Sequence, residues 1–367
     1  MMETLASLIL YFLQGLSGKD ALKLLNHYGS AEKVLADAGN EFPQLRDRCF
    51  SGGALSQARQ KAEKELALCE RRGIKVLPYL SEDYPQLLRE ENITDAPPVL
   101  FYSGKCALQR RRMLSIVGTR QMTDYGKDFI ERFMADLARL RPDLLIVSGL
   151  AYGVDICAHR AALKNGLETL AVLAHGLDRV YPSLHRHTAN EMVEHGGLLT
   201  EYPMGSTPER IHFVARNRIV AGMSAGTLVV ESAAHGGGLI TADLAFGYAR
   251  EVMAVPGRVG DAYSEGCLRL VQQQKASLVT SAEDVLNVLG WKPEEPAKVS
   301  QPTLFPVYTA AQEKLLELLS STETMSLDEL VRATDMRIAQ ISDDLFTLED
   351  MGVVRRVPGN RYRSVSL

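Results

Sequence analysis

From about residue 74 to residue 290, short apolar runs alternate with segments of helical periodicity, and this alternation constrains the fold more than any other feature. The runs are IKVLPYL, PVLFYSG, MLSIVG, LLIVSG, TLAVLA, GLLTEY, GTLVVES, EVMAVPG and ASLVTS. Continuous apolar strands that alternate with helices are typical of a parallel sheet covered by helices on both faces. The pattern therefore predicts a large domain of the α/β class.

Two helical zones flank this domain. Residues 1–72 show helical periodicity only, in segments joined by glycine-containing turns, which predicts a small helical domain. Residues 291–308 are rich in proline and predict an extended linker. Residues 309–367 form another small helical unit that ends in GVVRRVPGNRYRSV, a pattern typical of a hairpin with Pro-Gly-Asn at its turn. We therefore expect the α/β domain to span 74–290.

Composition narrows the class of protein. A hydrophobic content of 46% and a charged content of 23% are ordinary for a soluble globular protein. The net charge of −4 argues against a protein that coats nucleic acid with its whole surface, but it permits a local basic groove. The five cysteines are scattered and form no C-x-x-C pair, which fits a reducing cytoplasm and excludes a disulfide framework or a zinc site. No run reaches the ~20 apolar residues that would span a membrane.

Three strands of the predicted sheet end in glycine-rich or polar turns. The first turn carries Gly118 and Arg120, the second is Ser148–Gly149, and the third is Gly236–Gly238 before a helix that contains Thr241. Ligands of open parallel sheets lie at the carboxyl ends of the strands, where helix N-termini offer free N–H groups to anions. Any tight βα turn favours glycine, but three such turns in one sheet, one of them with an arginine, indicate an extended ligand or one with several phosphates.

The segment STPERIHFVARNRIVAGMS predicts an amphipathic helix that begins at Thr207, with a hydroxyl cap followed by proline. Helical spacing gives an apolar face of Ile211, Val214, Ala215, Ile219 and Gly222. The opposite face carries Arg210, Phe213, Arg216 and Asn217. A phenylalanine between arginines on a solvent-exposed face is typical of a site where the ring stacks on a base and the guanidinium groups pair with phosphates. The alternative is an aromatic ring that fills a gap under a loop.

Two further groups of polar residues invite a catalytic or metal interpretation. His185 and His187 have no carboxylate or cysteine at ligand spacing beside them, so we expect solvated loop residues there and no metal. Asp155 and His159 are four residues apart in a helix that follows a strand. We expect an intrahelical contact between them, with Asp155 favourably placed at the helix N-terminus, and no acid–base pair.

Several motifs occur together in a characteristic order. SIVGTR, SGLAYGVDICAHRAAL, GLDRVYPS, FVARNRIVAGMS, GGGLITADLA and VPG have the order and spacing of the DNA-processing protein A (DprA/Smf) family. The chain resembles this family in detail over residues 74–290. The resemblance implies an extended Rossmann-like parallel sheet. It also implies a small N-terminal helical domain of sterile-alpha or helix–hairpin–helix type and a C-terminal winged-helix domain.

The resemblance further implies a function. Members of the family bind and protect single-stranded DNA and load the RecA recombinase onto it during natural transformation, as homodimers, without enzymatic activity, cofactor or metal. The family's DNA-binding residues correspond here to Arg120, the Ser148–Gly149 turn, Arg210 and Phe213. Together with the turns above, the candidate DNA-binding residues are Gly118, Arg120, Ser148, Gly149, Arg210, Phe213, Arg216, Asn217, Gly237, Gly238 and Thr241.

Two classes of enzyme are alternatives to a DNA-binding protein. A nicotinamide dehydrogenase is disfavoured because the G-x-G-x-x-G fingerprint is missing. A phosphoribohydrolase of the lysine-decarboxylase-like type would share the sheet and its phosphate turns, and is the better rival. It requires P-G-G-x-G-T-x-x-E, whereas Gly226-Thr227 is separated from Glu231 by three residues and lacks the preceding Pro-Gly pair.

The C-terminal unit predicts a helix–turn–helix followed by a wing. Its second helix, about Arg337 to Asp350, carries Asp343, Asp344, Glu349 and Asp350 against a single arginine. Phosphates repel such a helix, so we expect this unit to contact protein or to play an accessory role, even though four arginines lie on the wing at 355, 356, 361 and 363.

Overall fold

The structure is a computed structural model of the 367-residue chain. It describes residues 2–42, 49–50, 53–292, 308–322, 324–357 and 361–365. The chain divides into two compact units, 1–296 and 297–367. The predicted linker lies largely outside the described residues, as does the Pro358–Asn360 turn, and the domain bounds at 72, 290 and 308 stay a prediction.

The first unit contains eleven described helices and nine strands. The helices are α1 Met2–Phe12, α2 Gly18–Tyr28, α3 Ala31–Glu41, α4 Ala54–Arg71, α5 Asp124–Leu140, α6 Val154–Lys164, α7 Arg186–Glu194, α8 Arg210–Gly222, α9 Gly237–Gly247, α10 Glu265–Gln272 and α11 Ala282–Val288. The strands are β1 Lys75–Pro78, β2 Val99–Gly104, β3 Met113–Val117, β4 Leu145–Ser148, β5 Glu168–Leu173, β6 Gly196–Thr200, β7 Gly226–Val229, β8 Glu251–Ala254 and β9 Ser277–Leu278.

The nine strands form one sheet in the order β1-β2-β6-β5-β4-β3-β7-β8-β9. The seven strands from β6 to β9 run parallel, while β1 and β2 are antiparallel additions at one edge. From β3 the chain first builds outward through β4, β5 and β6, and then returns to place β7 on the other side of β3. The predicted α/β class and mostly parallel sheet are confirmed, and the crevice between β3 and β7 is a topological switch point.

Both faces of the central strands are buried, as continuous apolar runs require. In β3, Leu114 and Ile116 pack with α5, α6 and α11 on one face. Met113 and Val117 point to the other face and belong to the core that includes α8, α9 and α10. Because the side chains of a strand alternate between the two faces, each residue of these short strands is committed to one of two cores.

The N-terminal helices are packed directly on the sheet. Leu8 of α1 and Ala62 of α4 share a hydrophobic cluster with Val99 and Phe101 of β2. Farther along α4, the Glu65 carboxylate accepts a hydrogen bond of 2.8 Å from the backbone N–H of Met204. The helical zone and the antiparallel edge of the sheet therefore bury one common core.

None of the described helices combines the length and the apolar character that crossing a bilayer requires.

The second unit is the predicted winged helix. It contains α12 Ala310–Ser320, β10 Met325–Ser326, α13 Leu327–Thr334, α14 Ile338–Asp350, β11 Val354–Val357 and β12 Arg361–Ser364. The strands form a three-stranded antiparallel sheet, β10-β12-β11. Leu315, Leu330 and Leu345 meet in its core, whereas Phe346 on α14 is 74% exposed. The exposed face of α14 thus carries an aromatic ring on the same helix as Asp343 and Glu349.

The shared core of α1 and β2 predicts how mutations affect unfolding. Leu8 is fully buried, so Leu8→Ala should destabilise the whole first unit by about 2–5 kcal/mol through lost burial and a cavity. The matched change Leu348→Ala removes an equally buried leucine from the winged-helix core. Differential scanning calorimetry should show each substitution lowering a different transition. A separate early transition for the N-terminal helices, with the sheet unaffected by Leu8→Ala, would contradict the common core.

Candidate nucleic-acid interface

A groove of about 600 Å³ lies at the carboxyl ends of the central strands, at the switch point between β3 and β7. Its walls come from the turns after β3, β4 and β7 and from helix α8. The residues that line it and that the sequence predicted are Gly118, Arg120, Arg210, Phe213, Arg216, Asn217, Gly237, Gly238 and Thr241. Nine of the eleven candidate residues are therefore brought together at one surface.

The turns after β3 and β7 lie against each other. Gly238 is so close to the end of β3 that a Cβ built on it would stand 3.1 Å from the Gly118 Cα atom. Gly238 belongs to the first turn of α9, and no side chain caps this helix. The first amides of a helix have no partner within the helix, and the helix dipole adds positive potential there. This end of the groove is therefore suited to an anion.

Ser148 and Gly149 do not line the groove, contrary to expectation. Ser148 is fully buried, and its hydroxyl donates a hydrogen bond of 2.6 Å to the carbonyl of Ile116. The Gly149 N–H donates to the Asp155 carboxylate at 3.1 Å, and the Ala151 N–H donates to the same oxygen at 3.4 Å. The Asp155 carboxylate thus already accepts hydrogen bonds from the amides that we expected to bind a phosphate.

Asp155 and His159 make no contact with each other of the kind expected from their spacing. The His159 Nδ1 atom pairs with the Thr169 hydroxyl at 2.7 Å. Burial lowers the pKa of His159 to about 3, so its ring is neutral. Burial raises the pKa of Asp155, whereas the Arg216 charge and the two backbone amides act in the opposite direction. Asp155 therefore stabilises the turn after β4, and His159 is a core residue.

Arg216 is the best-placed cation of the groove. It lines the groove although only 4% of its surface is exposed. Its guanidinium fills the space that Gly149 leaves by having no side chain, since a Cβ there would overlap the Arg216 Nη1 atom. Burial lowers its pKa, and the Asp155 carboxylate opposes that shift. The Nε atom is buried and finds no hydrogen-bond partner within the described ranges. An unsatisfied buried donor of this kind is rare, and it belongs to a guanidinium that lines the groove.

Helix α8 differs from its prediction in two respects. It begins at Arg210, after Glu209 in extended conformation, and no side chain caps it. The Thr207 hydroxyl instead bonds the Glu209 carboxylate at 3.3 Å. The apolar face is also wrong in the first turns, because Ile211 is 70% exposed and Val214 is 48% exposed while Arg216 is buried. The helix enters from the rim of the groove, so only its last turns reach the core.

Phe213 lies half-buried between two side chains of the groove. The Arg120 guanidinium carbon lies 5.6 Å from the centre of the Phe213 ring, within cation–π range. The Tyr181 ring centre lies 5.8 Å away on a plane tilted by 59°. Arg120 itself is exposed. An aromatic ring beside an exposed cation can stack on a base while the cation pairs with a phosphate.

The remaining candidates occupy the wall of the groove. Arg210 is exposed at the start of α8, and Asn217 is half-buried one turn beyond Phe213. The Thr241 hydroxyl donates to the Gly237 carbonyl at 3.1 Å, so its proton is already used within α9. Arg210 is thus a candidate for a direct phosphate contact, whereas Thr241 can offer a ligand only an acceptor.

Sequence reasoning missed Tyr181, which lines the groove and is 48% exposed. It precedes a cis proline and lies in a segment whose arginines and histidines drew attention instead. Of these, His185 is buried rather than solvated, with its Nδ1 atom 2.8 Å from the Leu150 carbonyl. The described residues contain no group of histidine, cysteine and acidic side chains suited to hold a metal ion.

Comparison of the chain with known proteins identifies related families and structures. Residues 75–290 match the model of the family described as DNA recombination-mediator protein A, and residues 292–360 match the DprA winged helix domain. The DNA processing protein DprA of Bacillus subtilis is 38% identical over 249 residues, 68% of this chain and 81% of that protein. Protein Smf of Escherichia coli is 35% identical over 321 residues, 84% of this chain and 82% of that protein.

Solved structures agree with the sequence relatives. The X-ray structure of DNA processing protein A from Streptococcus pneumoniae has a TM-score of 0.65 at 34% identity, covering 76% of this chain and 95% of that one. A structure describing the single-stranded DNA binding mode of the Helicobacter pylori protein has a TM-score of 0.52 at 28% identity, covering 59% and 95%. With a family model that matches more than half of its length, the chain belongs to the DNA-processing protein A (DprA/Smf) family, as its motifs predicted.

Proposed function

We propose that this protein binds single-stranded DNA in the groove between β3 and β7. The observation that carries the proposal is the Arg216 guanidinium, which is buried, lines the groove and has a donor without a partner in the described part of the chain. A phosphate oxygen is the acceptor that such a group pairs with best. The uncapped N-terminus of α9 supports a second phosphate contact across the groove.

The groove favours a single strand over a duplex for a geometric reason. Its one accessible aromatic pair, Phe213 and Tyr181, offers ring faces to unstacked bases. Base faces are exposed in a single strand and hidden in a duplex. No element of the described groove resembles a helix that enters a major groove, so we expect little sequence preference.

Within the cell, we propose that the protein protects incoming single strands and loads the RecA recombinase onto them during natural transformation and recombination. The family membership supports this role, and the Helicobacter pylori relative, whose structure describes a single-stranded DNA binding mode, supports its DNA-binding part. We propose further that it acts in the cytoplasm as a homodimer, as the family resemblance implies.

We propose DNA binding without a catalytic role for the groove. The names of the relatives, DNA processing protein DprA and protein Smf, state no enzymatic activity. A phosphoribohydrolase would need a free glutamate near the sugar, and Glu231 is the candidate. Its carboxylate instead accepts from the Thr123 N–H at 2.9 Å and from the Thr123 hydroxyl at 2.5 Å. Glu231 thus fixes the start of α5.

The proposed function predicts a preference for single-stranded over duplex DNA. The unmodified protein should bind an oligothymidylate at least tenfold more tightly than a duplex of equal length, because the stacking rings need unpaired bases. Affinity should fall with salt, with a log–log slope of about −0.7 for each phosphate neutralised. Fluorescence anisotropy at several salt concentrations measures both. Equal affinity for duplex, or a slope near zero, would contradict the proposed function.

Two substitutions separate the phosphate contact from the stacking contact. Arg120→Ala and Phe213→Ala should each weaken single-strand binding at least fivefold, in line with about 1–3 kcal/mol per stacked base and a comparable value for a charge-assisted contact. Arg120→Ala should also flatten the salt dependence, whereas Phe213→Ala should leave it nearly unchanged. The measurement is a titration of each variant at three salt concentrations.

The control for these variants is Arg132→Ala. Arg132 is an exposed arginine on α5 that does not line the groove, so its loss should leave affinity within about twofold. Thermal melting identifies variants that are merely unfolded. If Phe213→Ala lowers the melting temperature sharply but spares binding, the ring fills a gap under a loop and is not a stacking platform.

A further inference from the structure

A second cavity adjoins the groove. It has a volume of about 400 Å³ and lies between helices α5 and α6, on the far side of the Arg120 turn. Arg120 lines both this cavity and the groove, and Gly153 of the cavity lies in the chain between Ala151 and Asp155, which line the groove. Gly153 has a φ of 73°, and a Cβ there would overlap the Thr119 carbonyl. Only glycine therefore fits at this position, and no side chain stands on the turn between the two cavities there. The two cavities are therefore neighbours across one backbone turn.

The charges around this second cavity are strongly unbalanced. Lys127 on α5 and Arg160 and Lys164 on α6 are exposed and line it, against one carboxylate, Glu131. Of the residues that the structure describes, none is an ion-pair partner for these three cations. The Arg160 Nε atom donates to the Thr188 hydroxyl at 3.2 Å, which holds the guanidinium in place and leaves its two outer nitrogens available. Three cations thus converge from two helices.

The floor between these cations is apolar. Ile156 and Ala161 are buried beneath it, and Met122 and the half-buried Cys157 complete it. Arg160 and Lys164 are four residues apart on one face of α6, a separation of about 6 Å along the helix axis. A cationic rim over an apolar floor matches a nucleotide, whose phosphate is charged and whose base has two apolar faces.

We propose that this α5–α6 cavity is a second subsite for the same single strand, which leaves the groove over the Gly153 turn. Phosphates of the strand pair with Lys127, Arg160 and Lys164, and a base lies on the floor formed by Met122 and Ile156. This inference rests on the proposed function of the groove. It predicts that strands too short to leave the groove never reach the second subsite.

Two oligothymidylates test the subsite in the full-length protein, one of roughly 5 nucleotides and one of roughly 20. In Lys127→Glu/Lys164→Glu, affinity for the long strand should fall at least fivefold. Its salt slope should shrink by roughly 1.4, the value for two lost phosphate contacts. Affinity for the short strand should stay within about twofold, since long-range charge effects are screened beyond about 10 Å at moderate salt.

The matched control is Lys23→Glu/Lys33→Glu. It makes the same change of charge at exposed lysines on α2 and α3, outside both cavities. It should leave both affinities within about twofold, as screened charges do. An equal loss in the control would contradict the subsite, because the effect would then follow net charge alone. So would an unchanged long-strand affinity in the subsite variant. If the unmodified protein binds neither strand, the proposed function itself is wrong.

Cys157 provides a readout that does not depend on charge. It is half-buried in the second cavity, whereas the other four cysteines are buried. Burial raises the pKa of its thiol to about 11, so an uncharged maleimide modifies it slowly enough to follow by mass spectrometry. The long strand should slow this modification at least threefold and the short strand should not. Equal modification rates with the long strand and without it would overturn the proposal.

Discussion

The geometry of the candidate interface depends on the carboxylate of Asp155. It accepts hydrogen bonds from the amides of Gly149 and Ala151, and its charge faces the buried guanidinium of Arg216. Unpaired burial of either charge would cost several kcal/mol, so each charge makes the other tolerable. The Arg216 guanidinium is therefore held in the groove by packing against Gly149 and by the opposite charge of Asp155. Such a cation is pre-organised for a ligand phosphate.

Backbone hydrogen bonds also connect the turns that follow β3, β4 and β7. The Val154 N–H donates to the Thr119 carbonyl, and the Thr119 N–H donates to the Glu231 carbonyl. The turns after β3, β4 and β7 are therefore linked by main-chain hydrogen bonds, and their side chains remain available for the ligand. The edge of the sheet that carries the interface is also its topological switch point, where three separate connections meet.

Much of this could be predicted from the sequence. Continuous apolar strands between helices indicated the class of the sheet, and the glycines after β3 and β7 marked the binding edge. The faces of α8 could not be predicted by helical spacing alone, because its first turns project from the rim and leave Ile211 exposed. The role of the Ser148–Gly149 turn could not be predicted either. Periodicity does not reveal that the Asp155 carboxylate, six residues after Gly149, accepts a hydrogen bond from the amide of this turn. Tyr181 was missed because it comes from a loop, where neither strand nor helix spacing places a side chain.

The central claim is that the groove of the first unit, with Phe213 and Tyr181 as its stacking rings, holds the single strand. Photo-cross-linking tests it most directly, with a strand that carries 5-bromodeoxyuridine and with the linked peptides located by mass spectrometry. The account predicts that the cross-links fall on the α8 segment and on the loop that contains Tyr181. Cross-links confined to the winged-helix unit, residues 297–367, would contradict it.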